Sequence, residues 1–297
     1  MTSLIIITLQ RAELLERTIE ALGRQKCPPD EIIVVDNGPD AATEAVARRA
    51  GARYAAEPRR GYGCARNRGL DEARGDVLYF LDDDCVAEPD WTERLLTALE
   101  SADLAGGSRV SGRRGLAARL DYLSTDGPVM APDLPAGAPA HLSTSNLILR
   151  RAVVEKTGRF DEGLAMCEDR DFTARARDLG FRLRFEPRAR VTHYSSVAQF
   201  GDYLGRMRHY GFGTSQYFAQ RPEEGLARFF PQSAAARLLL LPALAAAGTG
   251  YLVARNLPRH GDAVALSPLL FLGQLAWHWG GFEAMRRHGA TRCKLKQ

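Results

Sequence analysis

Three consecutive aspartates, Asp82, Asp83 and Asp84, directly follow the apolar run Val77-Leu78-Tyr79-Phe80-Leu81. Carboxylates this close repel one another unless a proton or a cation offsets their charge, and their hard oxygens suit Mg²⁺ or Mn²⁺. If the apolar run is a strand, its alternation sends Asp82 and Asp84 to one side and Asp83 to the other. Ligands of open parallel sheets bind in the crevice outside the carboxyl ends of the strands, which is where such a trio would fall. A cation held there would neutralise the charge that develops on a diphosphate leaving group. Asp is also common in ordinary polar turns after strands, so the trio needs partners elsewhere in the chain.

Several other residues have the right chemistry. Arg66 follows the glycine-rich approach Gly61-Tyr62-Gly63 to a helix start, a setting that suits an anion, although this fragment lacks the third glycine of a dinucleotide fingerprint. Glu168 and Asp169 open another helical stretch. Acids there are also explained by the helix dipole alone. His193 follows a predicted strand and has the imidazole of a common metal ligand. Cys64, Cys85 and Cys167 sit beside these motifs, but diphosphate chemistry does not call for thiolates, and small packing residues are the expectation. The five cysteines form no CxxC pair, which suits a reducing compartment.

The elements that must position these groups follow from periodicity. Short apolar runs alternate with amphipathic stretches up to about residue 100: strand 3–9, helix 13–23, strand 31–36, helix 40–50, strand 53–56, helix 64–73 and strand 76–81. This is the rhythm of βα units around a parallel sheet. Asp90 with Glu93 has the spacing of a capping box for a helix to about residue 100, and 104–110 reads as a strand. Residues 111–141 lack regularity and read as a long loop. A strand at 146–150, helices at 152–157 and 169–179, a strand at 181–185 and another ending near Tyr194 complete the domain.

In order along the chain these segments resemble the GT-A glycosyltransferases, above all the family-2 group. The resemblance covers residues 3–194 and rests on Thr8-Leu9-Gln10-Arg11, Val34-Val35-Asp36-Asn37-Gly38, the stretch from Gly61 to Gly69, Phe80-Leu81-Asp82-Asp83-Asp84, Ser145 to Arg151, Gly158 to Glu162, Glu168 to Phe172, and Val191-Thr192-His193. It implies an α/β GT-A fold, Rossmann-like and built for nucleotide-diphosphate sugars. It also implies transfer of a sugar from such a donor to an acceptor hydroxyl with Mn²⁺ or Mg²⁺, and inversion, although the fold serves both stereochemical outcomes. By the same resemblance Asp36 would contact the base or ribose, and Thr8, Arg11, Arg66, Asn67, Asp83 and Glu168 would line the substrate site. Asp84 would be the main metal ligand with His193, Asp82 would touch the ribose of the substrate or the metal, and Asp169 would be the general base. Gln10, Pro39 and Arg159 depart from the family pattern at positions that carry no proposed ligand. The acceptor, whether a glycan, a lipid-linked or a small molecule, is not encoded legibly, and no nucleic-acid partner is expected.

On this reading residues 1–195 form the catalytic domain, with a nucleotide-sugar half at 1–110 and an acceptor half at 111–195. Residues 196–297 form a helical C-terminal region. The composition, 45% hydrophobic and 26% charged, is that of a folded chain, and no export signal is expected ahead of the first strand. Within the C-terminal region the apolar segments 238–254 and 263–282 raise the expectation of membrane association, peripheral or as a spanning hairpin; if they are merely packed helices, a cytoplasmic protein is expected. Arg228 and Arg237 before them, and Arg286, Arg287, Arg292, Lys294 and Lys296 after them, would keep both ends at the cytoplasmic face. The segment Arg206-Met207-Arg208-His209-Tyr210 is a further candidate for headgroup or phosphate contact. Two competing functions are nucleotidyl transfer, disfavoured because residues 8–15 contain no glycine, and a non-catalytic sugar-nucleotide-binding subunit, disfavoured by the intact Asp84 and Asp169.

Overall fold

The computed structural model describes residues 1–224, 230, 231 and 233–294, with side chains through Arg287. Arg228, Lys296 and the side chains of Arg292, Cys293 and Lys294 lie outside the described residues. The chain divides into two compact units, the first comprising Met1–Gly112, Met130–Gly163 and Glu168–Tyr194, the second Arg113–Val129, Leu164–Cys167 and Ser195–Gln297.

The first unit is built on a mixed sheet that has eight strands among the described residues, in the order β3-β2-β1-β4-β7-β6-β8-β5. β1 (Thr2–Thr8), β2 (Glu31–Asp36), β3 (Arg53–Ala56) and β4 (Val77–Asp82) are mutually parallel, joined through α1 (Ala12–Leu22), α2 (Ala41–Arg49) and α3 (Tyr62–Glu72). Their Ile/Val/Leu-rich cores, such as Ile5, Val34 and Leu78, are buried on both faces, as parallel strands covered by helices require. Register aligns Thr8 with Asp36 and Ile7 with Asp82, so the carboxyl ends of β1, β2 and β4 form one rim. Strand order reverses beside β1, between β2 and β4, which is the switch point where such sheets open a crevice.

Beyond β4, the strand β7 (Asn146–Arg150) runs antiparallel to both β4 and β6 (Leu104–Ser111), while β8 (Leu183–His193) runs parallel to β6. A single long β8 replaces the two expected strands. It bends at a register shift opposite Gly107 and Ser108, where a Cβ on Gly107 would overlap the Ala189 carbonyl, so only glycine fits there. The three-residue β5 (Cys85–Ala87), too short to leave a sequence pattern, pairs antiparallel with β8 and sets Cys85 opposite His193. α4 (Trp91–Ala98), α6 (Arg151–Thr157) and α7 (Glu168–Asp178) complete the unit. The capping box expected at α4 is absent: Asp90 turns its carboxylate to Arg94, one turn on, at 2.6–2.8 Å.

In the second unit, α5 (Leu116–Ser124) occupies part of the stretch expected to be loop. Its Ala117, Leu120 and Leu123 pack with Tyr203, Met207, Leu252 and Leu270, a core that sequence periodicity alone does not reveal because its partners are distant in the chain. α8 (Phe200–Gln220), α9 (Ala234–Leu239), α10 (Leu241–Asn256), α11 (Asp262–Ala265) and α12 (Ser267–Lys294) form the rest. The apolar segment 263–282 is not one helix: it breaks at Leu266, between α11 and α12. No helix among the described residues is long and apolar enough to cross a membrane.

Candidate active site

The rim at the ends of β1 and β4 gathers most of the expected residues. β4 stops at Asp82, and Asp83 and Asp84 form a turn before β5, so strand alternation does not extend past Asp82. The expectation that Asp83 faces away from Asp84 is therefore corrected. Both carboxylates meet the same nitrogen, Arg11 Nη1, at 3.2 Å (Asp83) and 3.0 Å (Asp84). Thr8 donates its hydroxyl to Asp83 Oδ2 at 2.6 Å, and Thr18 donates to the Asp83 carbonyl at 2.8 Å. Burial, with the Asp84 charge beside it, pushes the Asp83 carboxyl up to about 7. Arg11 follows Gln10, whose φ of 54° puts a non-glycine residue in the left-handed region, a form of backbone strain often found beside functional groups.

Asp84 is itself buried, with Oδ1 3.5 Å from His193 Nε2 and its carbonyl accepting the Tyr194 N–H at 2.8 Å. The pairing of β5 with β8 is what brings His193 here from a position 109 residues away in sequence. Asp82 instead turns to Arg66, whose Nη2 lies 3.4 Å from Asp82 Oδ1. Among the described residues no group of three or more His, Cys, Asp and Glu side chains is drawn together as a ready metal cage. The set Asp82, Asp84 and His193 is thus not preassembled; Asp84 and His193 are the adjoining pair.

Arg66, in the first turns of α3, is almost wholly buried and bridges Asp82 to Glu168 Oε1 at the start of α7. Desolvation works against the guanidinium charge, but Glu168 and Asp82 outweigh it and raise its affinity for the proton. Burial pushes Glu168 up to about 7 even with Arg66 beside it, and its Oε2 has no hydrogen-bond partner. The residue before Glu168, Cys167, has a φ of 71°, the other non-glycine position with positive φ among the described residues. Asp169 is half-buried and held by the backbone, Oδ1 accepting from Arg170 N–H at 2.7 Å and Oδ2 from Thr144 N–H at 3.3 Å.

Two further expected residues already have partners within the fold. Asp36 lies fully buried at the rim, and its carboxylate accepts from Gly38 N–H, Asp40 N–H and Tyr54 hydroxyl at 3.0–3.1 Å, which shapes the turn after β2. Asn67 exchanges hydrogen bonds with the backbone of Phe160 at 3.0 Å and donates to Glu162 at 3.0 Å. With Gly63, where a Cβ would fall 2.7 Å from the Asp161 carbonyl, it fastens α3 to the 160–162 segment.

Three residues at or near the site had not been anticipated. Arg109, on β6, is buried, lies within the electrostatic reach of Asp82 and donates to Ser145 Oγ at 2.7 Å. An arginine inside a strand of otherwise small and apolar residues is a sequence signal that could have found it. Tyr62 is 41% exposed, with the Arg66 guanidinium 5.6 Å from its ring centroid and Asp82, Glu168 and Arg11 close enough to perturb it. His141 shares the field of Asp169 and Arg170. Burial and the neighbouring Arg170 bring it down to about 4, which makes it neutral at physiological pH.

The basic segment of α8 is already engaged. Arg206 pairs with Asp121 at 2.9 Å and with Ser195, and Arg208 makes a two-pronged pair with Glu283 at 2.6 and 2.8 Å. Both arginines thus have carboxylate partners, and the Arg208 side chain stays 55% exposed.

Comparison with known proteins follows the same lines. The family model for glycosyl transferase family 2 matches residues 3–158. Glycosyltransferase AglE of Haloferax volcanii is 30% identical over 225 residues, 72% of this chain and 73% of that protein. The pre-mycofactocin glycosyltransferase of Mycobacterium tuberculosis is 30% identical over 175 residues, and the match spans 56% of this chain but only 36% of that relative's length. Among solved structures, the mannosyltransferase PcManGT from Pyrobaculum calidifontis, in complex with GDP-Man and Mn²⁺, superposes with a TM-score of 0.61 at 18% identity, covering 93% of this chain and 85% of that one.

Proposed function

This chain belongs to glycosyl transferase family 2, and from that membership we propose a divalent-cation-dependent, inverting transfer of a sugar from a nucleotide diphosphate to an acceptor hydroxyl. The observation that carries it is Arg66. By spanning Asp82 at the end of β4 and Glu168 beside Asp169, this one buried side chain ties the donor rim and the acid pair into one site.

The donor set suits a hard cation. Mg²⁺ and Mn²⁺ sites commonly use one or two protein ligands, with substrate phosphates and water completing the shell, and Asp84 with His193 can supply that pair. When bound, the cation would offset charge on the departing diphosphate. His193 would offer an imidazole nitrogen to it, and Arg11, already on Asp83 and Asp84, adds a cationic group at the same rim. The GDP-Man and Mn²⁺ held by the Pyrobaculum relative support this use of the rim.

Two backbone N–H groups orient the Asp169 carboxylate, whose oxygens each have a second lone pair for an acceptor hydroxyl. In the inverting step the acceptor oxygen bonds to the anomeric carbon as Asp169 takes its proton. The bond from that carbon to the donor's diphosphate breaks on the opposite face, and the electron pair leaves with the phosphate. A donor panel assayed with Mn²⁺ tests this reading directly. Turnover by wild type that is lost in Asp169→Asn while donor binding persists is the expected result, and equal turnover by both would overturn it.

We also propose a peripheral place on the cytoplasmic face of a membrane. The outward face of α10, with Pro242, Ala243, Ala246, Ala247, Gly250, Tyr251 and Ala254, has no charge before Arg255. Leu239 in α9 is 81% exposed, and Leu272 and Trp279 are exposed on α12. Uncharged helix faces with an aromatic at the edge suit the headgroup and acyl boundary. Co-flotation with anionic vesicles, lost in Leu239→Glu, is the test; flotation unchanged by that variant would refute it.

A further inference from the structure

In the second unit α9 carries Arg237, which is 2% exposed. Buried guanidinium groups are normally paired with a carboxylate, because leaving an ion uncompensated away from water costs several kcal/mol. No Asp or Glu among the described residues pairs with Arg237. Its one hydrogen bond runs from Nε to the His278 carbonyl at 3.2 Å, and Nη2 is buried without any partner. Desolvation alone accounts for its proton affinity falling to about 10.

The surroundings are built around this cation. The rings of Trp277 and Phe230 lie 5.5 and 5.7 Å from the guanidinium carbon. Ser215 on α8 is buried, and its hydroxyl also has no partner. Gly281 on α12 marks where the two orphaned groups converge: a Cβ there would collide with the guanidinium and lie 2.5 Å from Ser215 Oγ. Burial, then the nearby Arg237 charge, bring His278 down to about 4, so it adds no second positive charge. A cation with two unsatisfied N–H bonds and a hydroxyl able to donate beside it match the several acceptor oxygens of a tetrahedral oxyanion.

We propose that Arg237 and Ser215 form a binding site for a phosphate group, separate from the donor rim. The phosphate is either a free ion or ester or the headgroup of an anionic lipid. Binding supplies the counter-charge that the fold omits, so the occupied form is the more stable one.

Thermal unfolding of the full chain, with inorganic phosphate titrated against chloride at constant ionic strength, reads the free-ion source. Phosphatidylglycerol against phosphatidylcholine vesicles reads the lipid source. Wild type is expected to gain several degrees in at least one of these arms, and Arg237→Met to lose that gain. In chloride alone the variant should melt no lower than wild type, since it removes an unpaired buried charge. A gain with phosphate assigns a free phosphate ligand; a gain only with phosphatidylglycerol assigns a headgroup. Ser215→Ala keeps the guanidinium in place and should reduce the gain, so the test survives poor folding of the methionine variant. Identical responses of wild type and both variants in every arm would overturn the proposal, with any shared response then assigned to another site.

Discussion

Arg11 Nη1 stands 3.0 Å from Asp84 Oδ2, placing a positive charge on the carboxylate proposed to face the donor's metal. The same nitrogen lies 3.2 Å from Asp83, so without ligand the aspartate turn is held together by an arginine from the β1–α1 connection. Cation binding must therefore share or relax this contact. Arg11→Ala should lower apo stability by about 1 kcal/mol, a modest figure because the arginine side chain is 37% exposed and solvent screens the pair. Added Mn²⁺ should then raise the melting temperature more in Arg11→Ala than in wild type. An equal Mn²⁺ response in both would count against competition between Arg11 and the cation.

Arg66 is a different case, being buried between two acids. Arg66→Met would strand Asp82 and Glu168, and the loss should be about 3–5 kcal/mol in urea unfolding, as for other broken buried ion pairs. Adding Glu168→Gln to that variant should recover part of the loss. If the single variant unfolds like wild type, Arg66 does not tie the two halves of the site together.

The Glu168 carboxyl also makes a pH prediction. Its affinity for a proton is higher in the folded chain, at about 7, than its ordinary value of 4.5. The stability this contributes is full below 4.5 and is lost as pH rises through 7. The difference in melting temperature between wild type and Glu168→Gln should therefore shift against wild type between pH 4.5 and 7 and level off above that. A difference that stays constant over this range, or moves the other way, would show that Glu168 titrates normally.

Tyr62 offers a test of what lies at the mouth of the site. Its exposed ring beside Arg66 can stack on a planar base or cover a sugar face. Tyr62→Ala should weaken nucleotide-sugar binding up to about tenfold, in line with an aromatic contact of about 0.5–1.5 kcal/mol, whereas Tyr62→Phe should bind nearly as wild type. Calorimetry on the two variants separates ring from hydroxyl, and equal loss in both would point to the hydroxyl instead.

Much of the first unit was legible because its strands declare themselves. Glu31–Asp36, Arg53–Ala56 and Asn146–Arg150 occupy the expected residues, each a short run whose apolar side chains enter a covered sheet. The direction of Asn146–Arg150, antiparallel to both neighbours, is set by tertiary pairing and leaves no local pattern. The convergence of Asp83 and Asp84 on Arg11 was hidden because alternation holds only while the strand lasts, and β4 ends one residue earlier. Asp169 and His193 could be named from motif order, but the Arg66 bridge and the β5–β8 pairing that place them could not. Helix α5 was missed because its apolar face is answered by residues some 80 to 150 positions later. Buried Arg109 and Arg237 were hard to read for a related reason: an arginine announces charge, and only packing shows that the charge is enclosed.

On the function proposed above, Asp84 holds the donor's diphosphate through a divalent cation. Donor binding measured by calorimetry over a nucleotide-sugar panel, with and without Mn²⁺, tests it in wild type and Asp84→Asn. At least one donor should bind wild type at least tenfold more tightly with Mn²⁺ than without, and that gain should vanish in Asp84→Asn. Donor binding that is indifferent to Mn²⁺, or a Mn²⁺ gain that survives in Asp84→Asn, would contradict it.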